Sequence, residues 1–127
     1  LNAGPFVLGE HFVQLVGPGK CLPVKVDDVF WETGITQLPP GRLVTMFESA
    51  EDWQVWERHP GGEELIFQID GEMTLVLDED GTETRVRLHA GEFAVVPAGI
   101  WHSAEVAVPG RALYITPGEG TESRPRH

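Results

Sequence analysis

From residue 60 onward a glycine or a proline recurs at intervals of ten residues or fewer, and that punctuation leaves room only for short extended segments. Glycine admits the backbone conformations that end strands, and proline cannot donate to a helix or sheet ladder, so a chain cut this often folds as many short strands. No long window sustains apolar spacing of three and four residues without meeting one of these breakers, which argues against helices.

The residues between the turns define the strands. Segments rich in β-formers are predicted at 12–16, 24–31, 42–48, 55–59, 64–69, 72–77, 84–88, 93–96, 102–106 and 111–116, with the second read either as a strand or as an extended arm. Short strands at this spacing indicate an all-β sandwich or barrel. A chain of 127 residues suffices for one core. The expected organisation is a single domain over 1–117, with an N-terminal arm at about 1–35 and a barrel at about 42–117. Residues 118–127, nearly devoid of apolar side chains, are expected to form a flexible tail.

Charge narrows the partners. The formal net charge is −11, and the nine Lys and Arg residues are scattered rather than gathered on a stripe, so neither nucleic acid nor an anionic membrane is an expected partner. No apolar run reaches the roughly 18 residues of a membrane span, and a cytoplasmic protein is expected. Cys21 is the only cysteine, which rules out an internal disulfide framework and a thiolate metal cluster; it also lacks a local nucleophile motif.

Period two places Glu57 and His59 on one face of a strand, and the Pro60-Gly61-Gly62 turn lets the chain fold back so that Glu63 or Glu64 reaches His59 as a cross-strand neighbour. Farther on, Pro97 and Gly99 bend the chain ahead of His102. Together these segments resemble the cupin family. Its first motif is G, five residues, H-x-H, three or four residues, E, six residues, G; its second is G, five residues, P-x-G, two residues, H, three residues, N. His59, Glu64 and Gly71 match the later part of the first motif, and Gly91, Pro97, Gly99 and His102 match the second. Glu57 stands where the first histidine belongs, the leading glycine is absent, and Val106 replaces the terminal asparagine.

The resemblance implies the cupin double-stranded β-helix, or jelly-roll barrel, with His59, Glu64 and His102 as metal ligands. Two imidazoles and a carboxylate suit iron, manganese or zinc, with nickel also possible. Glu57 is either a fourth ligand, a general base, or an acceptor for a ligand histidine's N–H. Without a metal the same residues form a hydrogen-bonded polar cluster. His11, His89 and His127 match no motif. Met46, Trp53, Val55, Ile66 and Gln68 are the candidate pocket wall, suited to a small, partly apolar organic molecule, because no Gly-rich loop or converging basic pair provides for a phosphate.

Two functions follow. One is a metal-dependent enzyme of dioxygenase, isomerase or lyase type acting on a small organic substrate; the other is a metal-poor binding module. An isomerase using a His and carboxylate dyad without metal is a weaker third reading. Cupin chains also tend to pair, and a homodimer is expected, with 24–31 as the candidate exchange arm.

Overall fold

A computed structural model describes residues 1–127. Eleven strands follow one another: β1 (His11–Val16), β2 (Lys20–Lys25), β3 (Arg42–Ser49), β4 (Val55–Arg58), β5 (Glu64–Gln68), β6 (Glu72–Glu79), β7 (Thr82–His89), β8 (Phe93–Val96), β9 (Trp101–Val108), β10 (Gly110–Thr116) and β11 (Glu122–Pro125). They form two antiparallel sheets, one in the order β2-β1-β3-β10-β5-β8 and the other β11-β4-β9-β6-β7. Only β1–β2 and β6–β7 are sequential neighbours in a sheet; from β3 onward nearly every other connection carries the chain across to the opposite sheet. That alternation makes a jelly roll, in which consecutive strands face each other across the interior.

Strand alternation fills that interior. Tyr114 stands opposite Thr45 on one side and Ile66 on the other, while Leu75 is flanked by Ala104 and Val86 in the facing sheet. Ile66, Met73, Leu75, Leu88, Val96, Ala104, Ala112 and Tyr114 join in one buried cluster. Full burial of such an aliphatic side chain contributes about 1.5–3 kcal/mol. A smaller cluster of Phe12, Phe30 and Leu43 seals one end.

The N-terminal region departs from expectation. The Gly17-Pro18-Gly19 turn closes a β1–β2 hairpin whose register runs His11 to Lys25, so the second strand begins earlier than predicted and ends at Lys25. Residues 30–34 form one turn of π-helix, running into a 3-10 turn at 35–37. Phe30 is buried against Phe12 of its own chain. Within the single chain the residues after Lys25 fold back, because a large aromatic gains more inside than extended in solvent.

The C-terminal residues are a second correction. Strand β11 pairs with β4, from Glu122 opposite Arg58 to Pro125 opposite Val55. Apolar content alone missed it, since β11 docks through cations on aromatic faces: Arg124 lies 4.4 Å from the Trp101 ring centroid and Arg126 lies 5.2 Å from that of Trp56. No helix is long and apolar enough to cross a membrane.

Candidate metal centre

The expected β4–β5 hairpin does not form. The Pro60-Gly61-Gly62 turn passes the chain from one sheet to the other, so His59 and Glu64 meet across the interior rather than as strand partners. His102 arrives from β9, where it pairs with Glu57 of β4 and Leu77 of β6. The bend before it needs a glycine: Gly99 has φ +73°, and its N–H donates to the His59 carbonyl at 3.1 Å. The two motif segments are thereby tied together at the site.

His59, Glu64 and His102 are all buried, and one potential ligand atom from each lies within 4.8 Å of the other two. His102 Nε2 is 3.0 Å from Glu64 Oε1, and His59 Nε2 is 3.4 Å from Glu64 Oε2. Ligand atoms held about 2.1 Å from one transition-metal ion at tetrahedral to octahedral angles stand about 3.0–3.4 Å apart, so these separations fit a common ion. The hydrogen-bond pattern agrees. His59 Nε2, Glu64 Oε1 and His102 Nε2 face one another at ion-pair separations but make no well-directed hydrogen bond. Buried polar atoms left unpaired are costly, and a shared cation relieves all three at once.

Their other polar atoms are engaged. His59 Nδ1 is 2.8 Å from Thr121 Oγ1, His102 Nδ1 is 3.3 Å from the Ile100 carbonyl, and Thr116 Oγ1 donates to Glu64 Oε2 at 2.5 Å. Thr116 and Thr121 were not singled out from sequence. Thr116 follows Tyr114 by the two residues that keep a side chain inward, a usable signal, whereas Thr121 sat in the presumed tail and carried none.

Glu57 faces the same interior from β4. Its Oε2 lies 3.8 Å from His59 Nε2, and 38% of its side chain is exposed, which places it on the solvent side of the trio. The candidate wall residues divide. The Trp53 ring is 6.3 Å from the His102 ring and 6.1 Å from that of Tyr114, and Val55 shares the inward parity of Glu57. Ile66 lies wholly within the packed core. Gln68 is buried, with Nε2 donating to the Asp70 carbonyl at 2.7 Å. Met46, however, pairs with Leu113 on the outer face, opposite to its buried neighbour Thr45; the strand's phase buries Leu43 and Thr45, while Phe47 is 41% exposed.

Electrostatics couple the trio. Burial pushes the Glu64 carboxyl up, but the imidazoles of His102 and His59 outweigh it and hold the group down at about 2. Burial disfavours the charged form of His102, yet the facing Glu64 carboxylate raises it above its ordinary value. A depressed Glu64 stabilises the fold above its unfolded value of 4.5, and that contribution is lost as pH falls toward about 2. A raised His102 stabilises it fully below 6.5, and that contribution is lost as pH rises through the raised value. The metal-free protein is therefore expected to be most stable between about pH 4.5 and about 6.5, with urea midpoints falling on both sides. A midpoint that falls neither below about pH 4.5 nor above about pH 6.5 would show the trio uncoupled.

A two-sheet jelly roll enclosing a His-Glu-His trio defines a class of barrel proteins built around an interior polar centre. The model of the cupin domain matches residues 38–116, more than half of the chain, and the chain belongs to the cupin family. A 54-residue stretch is 37% identical to 3-hydroxyanthranilate 3,4-dioxygenase of Xanthomonas campestris pv. campestris, covering 42% of this chain and 31% of that enzyme. The matched stretch thus spans under a third of that relative's length. Among solved structures, a cupin-2 domain protein from Shewanella frigidimarina superposes with TM-score 0.51 at 17% identity, over 71% of this chain and 74% of that one. A hydroquinone 1,2-dioxygenase in complex with Cd2+ and 4-hydroxybenzonitrile gives TM-score 0.55 at 20% identity, over 65% and 61%. At these identities the structural likeness is one of fold.

Proposed function

We propose that His59, Glu64 and His102 hold a divalent transition metal, iron, manganese or zinc, and that the protein acts on a small organic molecule bound beside it. The observation that carries this reading is the set of three buried, unpaired ligand atoms converging on one point. Two neutral imidazoles and one carboxylate match the ligand set of non-haem Fe(II) oxygenases, and Glu57 on the open side hardens the site further. When bound, the metal would supply Lewis acidity toward the substrate's oxygens, and iron or manganese, unlike zinc, would add redox chemistry.

The protein's own residues supply the rest. Glu57 is placed to take a proton from a substrate hydroxyl or to add a fourth ligand. Trp53 lies beside His102, and Phe47 beside Tyr114 at 5.9 Å. The Trp53 ring beside a ligand histidine favours a flat, partly apolar substrate. Two relatives named as dioxygenases of hydroxylated aromatic compounds support an O₂-dependent reaction of that kind.

The second reading, a metal-poor binding module, is favoured by one feature, Glu57 in the place of a histidine. Protein prepared without a histidine tag and supplied with Fe(II), Mn(II) or Zn(II) is expected to take up about one equivalent and to melt at higher temperature as metal is added. Oxygen uptake by the Fe(II) form that depends on a hydroxylated aromatic compound supports the enzyme. Uptake of no metal would defeat the metal reading and leave the metal-poor binding module, and metal uptake without turnover across such a panel would defeat the enzyme assignment.

A further inference from the structure

We propose that Thr121, which directly precedes the C-terminal strand, is a positioning residue that fixes the ring orientation of His59 and so aims its Nε2 at the metal position. The inference rests on the metal reading above and assigns to β11 a task that lies outside the 38–116 region matched by the cupin model.

Three observations converge on it. First, Thr121 Oγ1 is 2.8 Å from His59 Nδ1, while His59 Nε2 has no partner and faces Glu64. The Thr121 hydroxyl can either accept from or donate to Nδ1, and in either sense it fixes the ring's orientation and keeps Nε2 turned toward Glu64. Second, the chain around Thr121 packs on the turn that joins two of the ligands. A Cβ added at Gly61 would stand 3.1 Å from the Glu119 carbonyl oxygen, and one at Gly62 would stand 3.2 Å from Pro117 Cγ. Segment 117–121 therefore covers the only connection between His59 and Glu64.

Third, β11 is anchored beyond what four residues of pairing provide. Arg58 and Glu122 form an ion pair at 2.9 Å, Arg124 stacks between Trp101 and Trp56, and Arg126 Nη2 donates to Glu105 Oε2 at 2.7 Å. The Arg126 N–H adds a bond of 2.9 Å to the Gln54 carbonyl. Several partly exposed contacts acting together hold a short edge strand in register, where one surface ion pair would contribute little. Thr121 immediately precedes this strand, so the clamp sets the position of its hydroxyl.

The test compares Thr121→Val, which removes the hydroxyl at nearly constant shape, with Thr121→Ser, which keeps it. Co(II) affinity is expected to fall about 10–100-fold in the valine variant and to stay within about threefold of wild type in the serine variant. Urea midpoints of the metal-free proteins should be close to one another. The ¹⁵N spectrum of metal-free protein is a second readout that needs no metal. The His59 Nδ1 resonance should report a hydrogen-bonded nitrogen in wild type and Thr121→Ser, and should shift on loss of that bond in Thr121→Val. Failure of wild type to bind Co(II) defeats the metal reading while leaving the Nδ1 test standing. An unchanged His59 Nδ1 resonance and affinity in Thr121→Val, or an equal loss in both variants, overturns the positioning role.

Discussion

His102→Ala is expected to leave the protein with less than about a tenth of an equivalent of metal under conditions in which wild type takes up about one. The substitution removes one of three ligands and strands the Glu64 carboxylate, whose side chain is 5% exposed, without its nearest imidazole. Breaking a buried charged pair on one side costs about 3–5 kcal/mol, so the metal-free variant should also unfold at lower urea. His89→Ala separates loss of ligand from loss of any histidine. His89 is exposed and meets only Glu72 and Glu92, and its removal should leave both metal content and stability near wild type. Full metal content in His102→Ala, measured by elemental analysis after gel filtration, would place the site elsewhere.

Gly71→Ala should produce the larger loss of folding. Gly71 adopts φ +72°, and a Cβ there would stand 2.6 Å from the Val108 carbonyl oxygen, 2.7 Å from that of Pro109 and 2.8 Å from Gly110 Cα. All three obstacles are backbone, in the β9–β10 turn, and backbone cannot swing aside as a side chain does. Left-handed strain of about 1–3 kcal/mol adds to that clash, so a total near 3 kcal/mol or more is expected. With a urea slope of about 1–3 kcal/mol per molar, the midpoint should fall by about 1 M or more. Gly81→Ala is the comparison, since Gly81 shares a positive φ of +89° but has nothing within 4 Å of its would-be Cβ. An equal loss in both variants would assign the effect to backbone strain alone.

Gly71 also shows why the motif was legible. A glycine with six residues between it and Glu64 marks a place where two turns press backbone on backbone, and Gly99 marks the bend that delivers His102. Such demands fall on single residues, so they survive in a bare sequence. The choice of Glu64 rather than Glu63 came from motif spacing, since period two alone separates 64-66-68 from 63-65-67 without saying which face is inside; the structure buries Glu64, Ile66 and Gln68. Met46 failed by the same rule, because the phase of β3 is set by its partners and not by its own run of apolar residues.

The sequence by itself determined the turn-bounded strands, the absence of long helices and the identity of the three converging side chains, because turn chemistry, strand period and motif spacing are local properties. Only the tertiary structure decided that the chain crosses between sheets after His59, that Phe30 folds back onto Phe12, and that Thr121 closes on His59 from the far end of the chain. Those outcomes depend on which distant surfaces meet: cations laid on indole faces and an aromatic ring sealed against another are contacts between remote residues, and no local pattern encodes them.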